Sequence, residues 1–186
     1  MGTNLIFCGP STAGKTTLMV GLTETKEPLN FTIDRTLTTR PRRNNEDDRE
    51  NIFLDTAEFE EQRSGLLFSF QNFPDYEYGI NDPGYIEANE VRMRILLPRF
   101  AADFRSKVAQ PTIVCSISPF NTNPEEIFSE RGTNIDDFQS RLSRFHTDKE
   151  EADNYADLHF QNFEGIELAT SSLALTIINY INESAS

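Results

Sequence analysis

Nine residues near the amino terminus, Gly9-Pro10-Ser11-Thr12-Ala13-Gly14-Lys15-Thr16-Thr17, restrict this chain to a small set of folds. They stand between an apolar run, Leu5-Ile6-Phe7-Cys8, and a helix-forming one, Leu18-Met19-Val20-Gly21-Leu22. Strand, glycine-rich turn and helix in that order create a concave row of backbone N–H groups at a helix N-terminus, where partial positive charge collects; this is a receptor for phosphate. Gly9 and Gly14 permit the tight turn. In the pattern G-x-x-x-x-G-K-[ST], Lys15 is spaced to reach the β- and γ-phosphates and the Thr16 hydroxyl to meet Mg²⁺. Gly9, Ser11, Ala13, Gly14, Lys15, Thr16 and Thr17 are therefore the expected nucleotide-binding residues, and a nucleoside triphosphate is the expected ligand.

At 186 residues, 37% of them hydrophobic, the chain has material for one well-buried core and one domain. No apolar run approaches a membrane span and the first residues carry no leader pattern, which predicts a cytoplasmic protein without a membrane partner. Cys8 and Cys115 lie inside apolar runs without metal-ligand spacing, as core thiols of a reducing compartment do. The formal net charge of −13 argues against a nucleic-acid partner. Within that acidic chain the arginines fall in three groups: Arg35, Arg40, Arg42, Arg43 and Arg49; Arg92, Arg94 and Arg99; Arg131, Arg141 and Arg144. Such grouping predicts a converging anion site. His146 and His159 are isolated and have surface or packing roles.

Strand signals alternate with helix signals along the chain. Strands are predicted at Asn4–Cys8, 31–33, 52–54, 66–70, 91–97, 111–117 and 158–160. The segment 36–43 reads as turn-rich and cationic, and 44–51 as loop. Asp55 caps a helix over Thr56–Ser64, and Pro98 starts one reaching about Val108. Further helices are expected over 124–130, from Asp136 to Phe145, and over Ile166–Ile181, with Leu168, Leu173, Leu175, Ile178 and Ile181 facing the core and 146–153 exposed. In Val91-Arg92-Met93-Arg94-Ile95 the alternation predicts a strand with one buried face. The whole predicts a three-layer α/β fold with a parallel core sheet and its cleft at the carboxyl ends of the strands.

The order of motifs resembles the guanylate kinase family. The phosphate loop is followed by Thr38-Thr39-Arg40 with Arg42 and Arg43, then Tyr78-Gly79, Arg131-Gly132 and Arg141-Leu142, over nearly the whole chain. The resemblance implies a P-loop kinase fold in residues 1–186, with a small mixed acceptor-binding insertion at about 35–80 and a short lid at about 128–150. It implies that Arg40, Arg43 and Tyr78 hold the phosphate of a small phosphorylated acceptor, with Thr36 replacing the family's serine. Arg131 and Arg141 take the place of the lid arginines that act with Lys15 on the transferring group. ATP and Mg²⁺, the latter at Thr16, are the implied cofactors, and a monomer or homodimer the implied state.

The departures concern the acceptor. Counting back from Tyr78-Gly79, the guanine-reading glutamate falls at Ser69, and Asn51 and Ile127 replace a tyrosine and a first lid arginine. The strand expected to carry carboxylates has Arg92 and Arg94 instead. In these places the chain is similar to ribose 1,5-bisphosphate phosphokinase, with Ser69-Phe70 and with Arg94 shortly before Leu97-Pro98. The first expectation is phosphoryl transfer from ATP to a nucleoside monophosphate of the GMP kind, with Thr36, Arg40, Arg43, Ser69, Tyr78 and Arg94 binding the acceptor. The alternatives are phosphorylation of ribose 1,5-bisphosphate to phosphoribosyl diphosphate, and a non-catalytic binding domain, against which the complete phosphate loop argues.

Overall fold

The computed structural model describes residues 2–42, 46, 48–72, 75–120, 123 and 135–184, the side chains of 135–138, 140 and 141 excepted. Its centre is β1 (Thr3–Cys8), buried at every position because parallel strands pair with it on both sides. These neighbours are β7 (Glu90–Ile95) and β8 (Thr112–Ser118), and β2 (Asn30–Ile33) and β9 (Leu158–Gln161) complete a five-stranded parallel sheet of order β2-β7-β1-β8-β9.

Side chains alternate across this sheet and meet helices on both faces. Leu5, Phe7, Met93 and Cys115 pack with Leu18, Met19 and Leu22 of α1 (Lys15–Thr23) and with Ala169, Leu173, Ala174 and Ile177 of α5 (Ile166–Ser184). Ile6, Cys8 and Val114 pack on the other side with Ala101 and Phe104 of α3 (Pro98–Lys107) and Ala152 of α4 (Ile135–Tyr155). The three-layer α/β arrangement follows. Both cysteines are buried free thiols, and burial pushes Cys8 up to about 12 and raises Cys115 as well.

A second, mixed sheet hangs from the carboxyl ends of the first. It comprises β3 (Thr36–Thr38), β4 (Asn51–Phe53), β5 (Phe68–Asn72) and β6 (Tyr76–Ile80), in the order β4-β3-β6-β5. Between β4 and β5 lies α2 (Thr56–Arg63), whose start is set by a capping box: Asp55 accepts from Glu58 N at 2.8 Å and Glu58 accepts from Asp55 N at 2.8 Å. Cross-strand pairing gives this sheet two different faces. Thr38 and Phe70 both pair with Tyr78, which puts Thr36, Thr38, Phe68, Phe70 and Tyr78 on one side; Leu37 and Ser69 both pair with Gly79 and lie on the other. Phe70 stacks on Tyr78 at 5.4 Å and on Phe100 of α3 at 4.0 Å, so the first face looks toward the core domain.

Four expectations change. Thr36–Thr38 is a strand rather than a turn, since the ladder supplied by β4 and β6 overrides its local composition. The charged residues 146–153 continue one helix to Tyr155, in which Ala152 is fully buried and Asp153 accepts from Ser116 Oγ at 2.7 Å and Lys149 Nζ at 2.9 Å. Arg94 does not lie on an exposed strand face: α3 covers that end of β7 and leaves it 1% exposed. On α5 the buried set is Ala169, Thr170, Leu173, Ala174 and Ile177, whereas Leu168 and Leu175 are exposed; the small residues let α1 and the sheet approach closely. The expected turn at Pro74 and helix 124–130 lie outside the described residues. No helix among those described is long and apolar enough to cross a membrane.

The buried face of α5 is testable. Leu173→Ala should lower unfolding free energy by about 2–5 kcal/mol, the range for emptying a core site, whereas Leu175→Ala should change it by less than about 0.5 kcal/mol; denaturant titrations of the two variants measure both.

Candidate nucleotide and acceptor site

The link from β1 to α1 departs sharply from ordinary backbone. Gly9, Thr12 and Gly14 have φ of 130°, 83° and 81°. A Cβ on Gly9 would stand 2.3 Å from the Ile117 carbonyl oxygen, and one on Gly14 would stand 2.5 Å from Nδ2 of Asn162, so the loop is a cradle only glycine fits at both ends. Thr12 holds a left-handed conformation at a cost of about 1–3 kcal/mol, and its Oγ1 is buried without a partner among the described residues. Lys15 Nζ donates to the carbonyls of Gly9 and Pro10, each at 2.8 Å, and so lies folded over the loop. Ala13 is buried, Ser11 partly so, and Thr16 and Thr17 are exposed at the start of α1.

Asn162, in the turn after β9, is a residue sequence reasoning missed. Its Nδ2 donates to Ala13 O at 3.0 Å and its Oδ1 accepts from Phe163 N at 2.9 Å, which ties the last strand to the loop across 149 positions. The available signal was a polar side chain just past a short apolar strand. A second missed residue is Asp148 on α4. Burial pushes its carboxyl above the usual range, although the positive charges of Arg144 and Lys15 oppose the shift. One turn earlier on the helix, Arg144 Nη1 donates to Asn72 Oδ1 of β5 at 3.3 Å, so α4 touches both the phosphate-loop side and the small sheet.

Of the residues expected to bind the acceptor, the structure brings together Thr36, Arg40 and Tyr78. Thr36 is buried on the face of the small sheet that carries Tyr78. Arg40, 8% exposed, meets both oxygens of Glu46 at 2.5 and 2.9 Å and lies beside the Tyr78 phenol. Burial alone would lower its pKa; the hydrogen bond and charge of Glu46, with Tyr78 adding to them, outweigh burial and hold the guanidinium above its ordinary range. Ser69 lies on the opposite face. Its Oγ accepts from Arg63 Nη1 at 2.9 Å, and Arg63 is itself paired with Glu60 and Glu77. The structure thus separates Ser69 from Tyr78, because a position in a strand faces the side its ladder partner faces.

Arg94 is at the carboxyl end of β7. Its guanidinium lies over the Phe104 ring at 4.5 Å and pairs with Asp34, and burial lowers its pKa against the pull of that carboxylate. Arg92 pairs with Glu90, Arg99 with Glu151 at 3.6 Å, and Arg42 with Asp48. Arg40, Arg42, Arg92, Arg94 and Arg99 are thus each matched by a carboxylate of their own. Arg43, Arg131 and Ile127 lie outside the described residues, as does the side chain of Arg141, whose backbone belongs to α4.

No protein-family model and no curated protein sequence matches the chain. Its structure is similar to that of guanylate kinase from Anaplasma phagocytophilum, with a TM-score of 0.60 over 96% of this chain and 86% of that one. The chain has a guanylate-kinase-like fold. Sequence identity to that neighbour is 19%, so the likeness is one of architecture. Within the guanylate-kinase-like fold of this chain, the phosphate loop, Asn162, Asp34 and Arg94 all stand at the carboxyl ends of the core strands, where open α/β sheets place their ligands.

The raised pKa of Asp148 has a pH consequence. The folded state favours the protonated acid, so the contribution is fully present below the unfolded value of about 3.8 and is lost as pH rises through the higher folded value. Asp148→Asn should therefore gain stability relative to the parent across that interval and be level with it below; melting temperatures of both proteins at matched pH values measure the difference.

Proposed function

We propose that this protein is an ATP-dependent phosphotransferase that moves the γ-phosphoryl group of ATP to a small phosphorylated acceptor, in the first place a nucleoside monophosphate of the GMP kind. The observation that carries the reading is the complete phosphate loop, with Lys15 folded over it and the Thr12 hydroxyl buried without a partner among the described residues, in a chain whose second sheet has Arg40 just after β3 and beside Tyr78. A buried hydroxyl lacking a partner costs about 1–3 kcal/mol, and a phosphate oxygen seated in the loop would relieve that cost.

Backbone N–H groups from Ser11 to Thr17 would hold the β- and γ-phosphates, with Lys15 leaving the Gly9 and Pro10 carbonyls to meet them. Mg²⁺, held by the Thr16 hydroxyl, would supply charge neutralisation between the phosphates. Arg40, exchanging Glu46 for the anion, and Tyr78 would take the acceptor's phosphate, with Thr36 lining the same face and Arg43 contributing. An acceptor phosphate is ionised at neutral pH and needs no general base; the chain's work is to hold two anions in line and exclude water. Arg131 and Arg141 would act on the charge that develops during transfer.

A second reading, phosphorylation of ribose 1,5-bisphosphate, is favoured by one observation: Ser69 brings no carboxylate to the site and is bonded to Arg63 instead. ATP-Mg²⁺ supplied in parallel with GMP, dGMP, AMP, CMP, UMP and ribose 1,5-bisphosphate, with ADP release followed, separates the readings. Turnover of a monophosphate supports the first and turnover of the bisphosphate alone the second. Tight ATP binding without turnover of any acceptor would favour the binding-domain alternative and overturn both.

Two variants test the assigned roles. Lys15→Ala should reduce turnover at least about a hundredfold, as loss of one transition-state donor does, with the fold retained. Arg141→Ala should lower kcat more than it raises KM for ATP, the pattern of a contact made chiefly in the reacting complex; a change in KM alone would assign Arg141 to ground-state binding.

A further inference from the structure

The pair formed by Asp34 and Arg94 joins the two sheets at the mouth of the cleft. Asp34 follows β2 directly, its N–H donates to Met93 O at 2.8 Å, and two residues later β3 of the small sheet begins. Arg94 lies in β7, enclosed by Phe104 and the sheet. One nitrogen, Nη2, meets Oδ2 of Asp34; Nε and Nη1 are buried with no hydrogen-bond partner among the described residues. The side chain of Asp34 is 21% exposed while that of Arg94 is 1% exposed, so a ligand arriving at this end of the cleft meets the carboxylate first. The next charges that bear on Arg94 are Arg92 and Asp82, and Arg92 is paired with Glu90.

A cation matched in this way is a poor receptor for a second phosphate. Enclosed between Phe104 and the sheet, the Arg94 guanidinium is reached by an incoming anion only past the more accessible carboxylate of Asp34, which repels it. A neutral group suits it better. A hydroxyl, or the lactam edge of a base, offers a donor for Asp34 beside an acceptor for an N–H of Arg94 that now has none.

We propose that Asp34 and Arg94 form a specificity element that selects the acceptor through a neutral group carrying a hydrogen-bond donor next to an acceptor, and that it discriminates against a second anionic group. The proposal rests on the reading of the small sheet as the acceptor site. The recognised group belongs to the base or to the sugar of the acceptor, two sources of one chemistry. Asp34 reads it directly, and Arg94 both orients Asp34 and completes the contact.

The test is calorimetric binding of GMP, AMP, CMP, UMP, ribose 5-phosphate, ribose 1,5-bisphosphate and ATP-Mg²⁺ to the full chain and to its Asp34→Asn and Asp34→Ser variants, each checked for an unchanged melting profile. The singly phosphorylated acceptor that binds best should weaken at least about tenfold in both variants, as loss of a charged hydrogen bond does. Ribose 1,5-bisphosphate should bind more tightly to the variants than to the parent, because removing the carboxylate exposes the charge of Arg94. ATP affinity should stay within about twofold. Preference for a base-bearing acceptor over ribose 5-phosphate assigns the contact to the base, and equal affinities assign it to the sugar; either supports the proposal. Unchanged acceptor affinities, equal weakening of ATP and acceptors, or a parent that prefers the bisphosphate would each overturn it while leaving phosphoryl transfer standing. A parent that binds ATP but none of the acceptors would overturn the phosphotransferase reading and this inference together.

Discussion

The architecture depends on one strand being buried on both sides. β1 has parallel partners along both edges and helices over both faces, so the chain leaving Cys8 has no freedom except outward at the carboxyl end of the sheet. The turn that follows accommodates three residues with positive φ, and the close approach of Ile117 O and Asn162 admits no side chain at Gly9 or Gly14. Such a loop is maintained only where its surroundings over-determine it. Here β8 supplies one wall and the turn after β9 the other, and the strain at Thr12 is supported by a core built from opposite ends of the sequence.

The small sheet depends on a different principle. Because its strands alternate, one face takes Thr36, Phe70 and Tyr78 toward the core domain, and the other closes on α2 with Ser69, Arg63 and Glu77 in a single hydrogen-bonded group. Charge is matched locally at several described arginines: in a chain of net charge −13, Arg40, Arg42, Arg92 and Arg94 each have a carboxylate within reach. The distribution leaves Arg40 beside Tyr78 as the described cation best placed on the cleft face, and turns Arg94 from a surplus charge into half of a neutral pair.

Most of the core sheet was legible in the sequence because its strands are short, apolar and separated by helices, and because the phosphate loop identifies the first of them. The capping box at Asp55 and the proline at the start of α3 were equally local signals. What local pattern does not carry is which face of an element meets which neighbour. Arg94 reads as an exposed residue in alternation until α3 is laid over it; Leu168 and Leu175 read as core until α5 is rotated by the small residues Ala169, Thr170 and Ala174. Ser69 was counted back from Tyr78 as an acceptor residue, and strand pairing turns it to the other face of the sheet. Asn162, Asp148 and Asp34 share a further limit: each acquires its role from a residue far away in the chain, and a polar residue at a strand end or on a helix carries no mark of that partner.

Hydrogen exchange with and without a non-hydrolysable ATP analogue and Mg²⁺ tests the central claim, that the loop held between β1, β8 and Asn162 is the nucleotide site. Protection should appear over residues 9–17 and in the turn at 161–165, with the exposed face of α5 unaffected. Unchanged exchange over residues 9–17 at saturating nucleotide, or protection confined to another part of the molecule, would contradict the account.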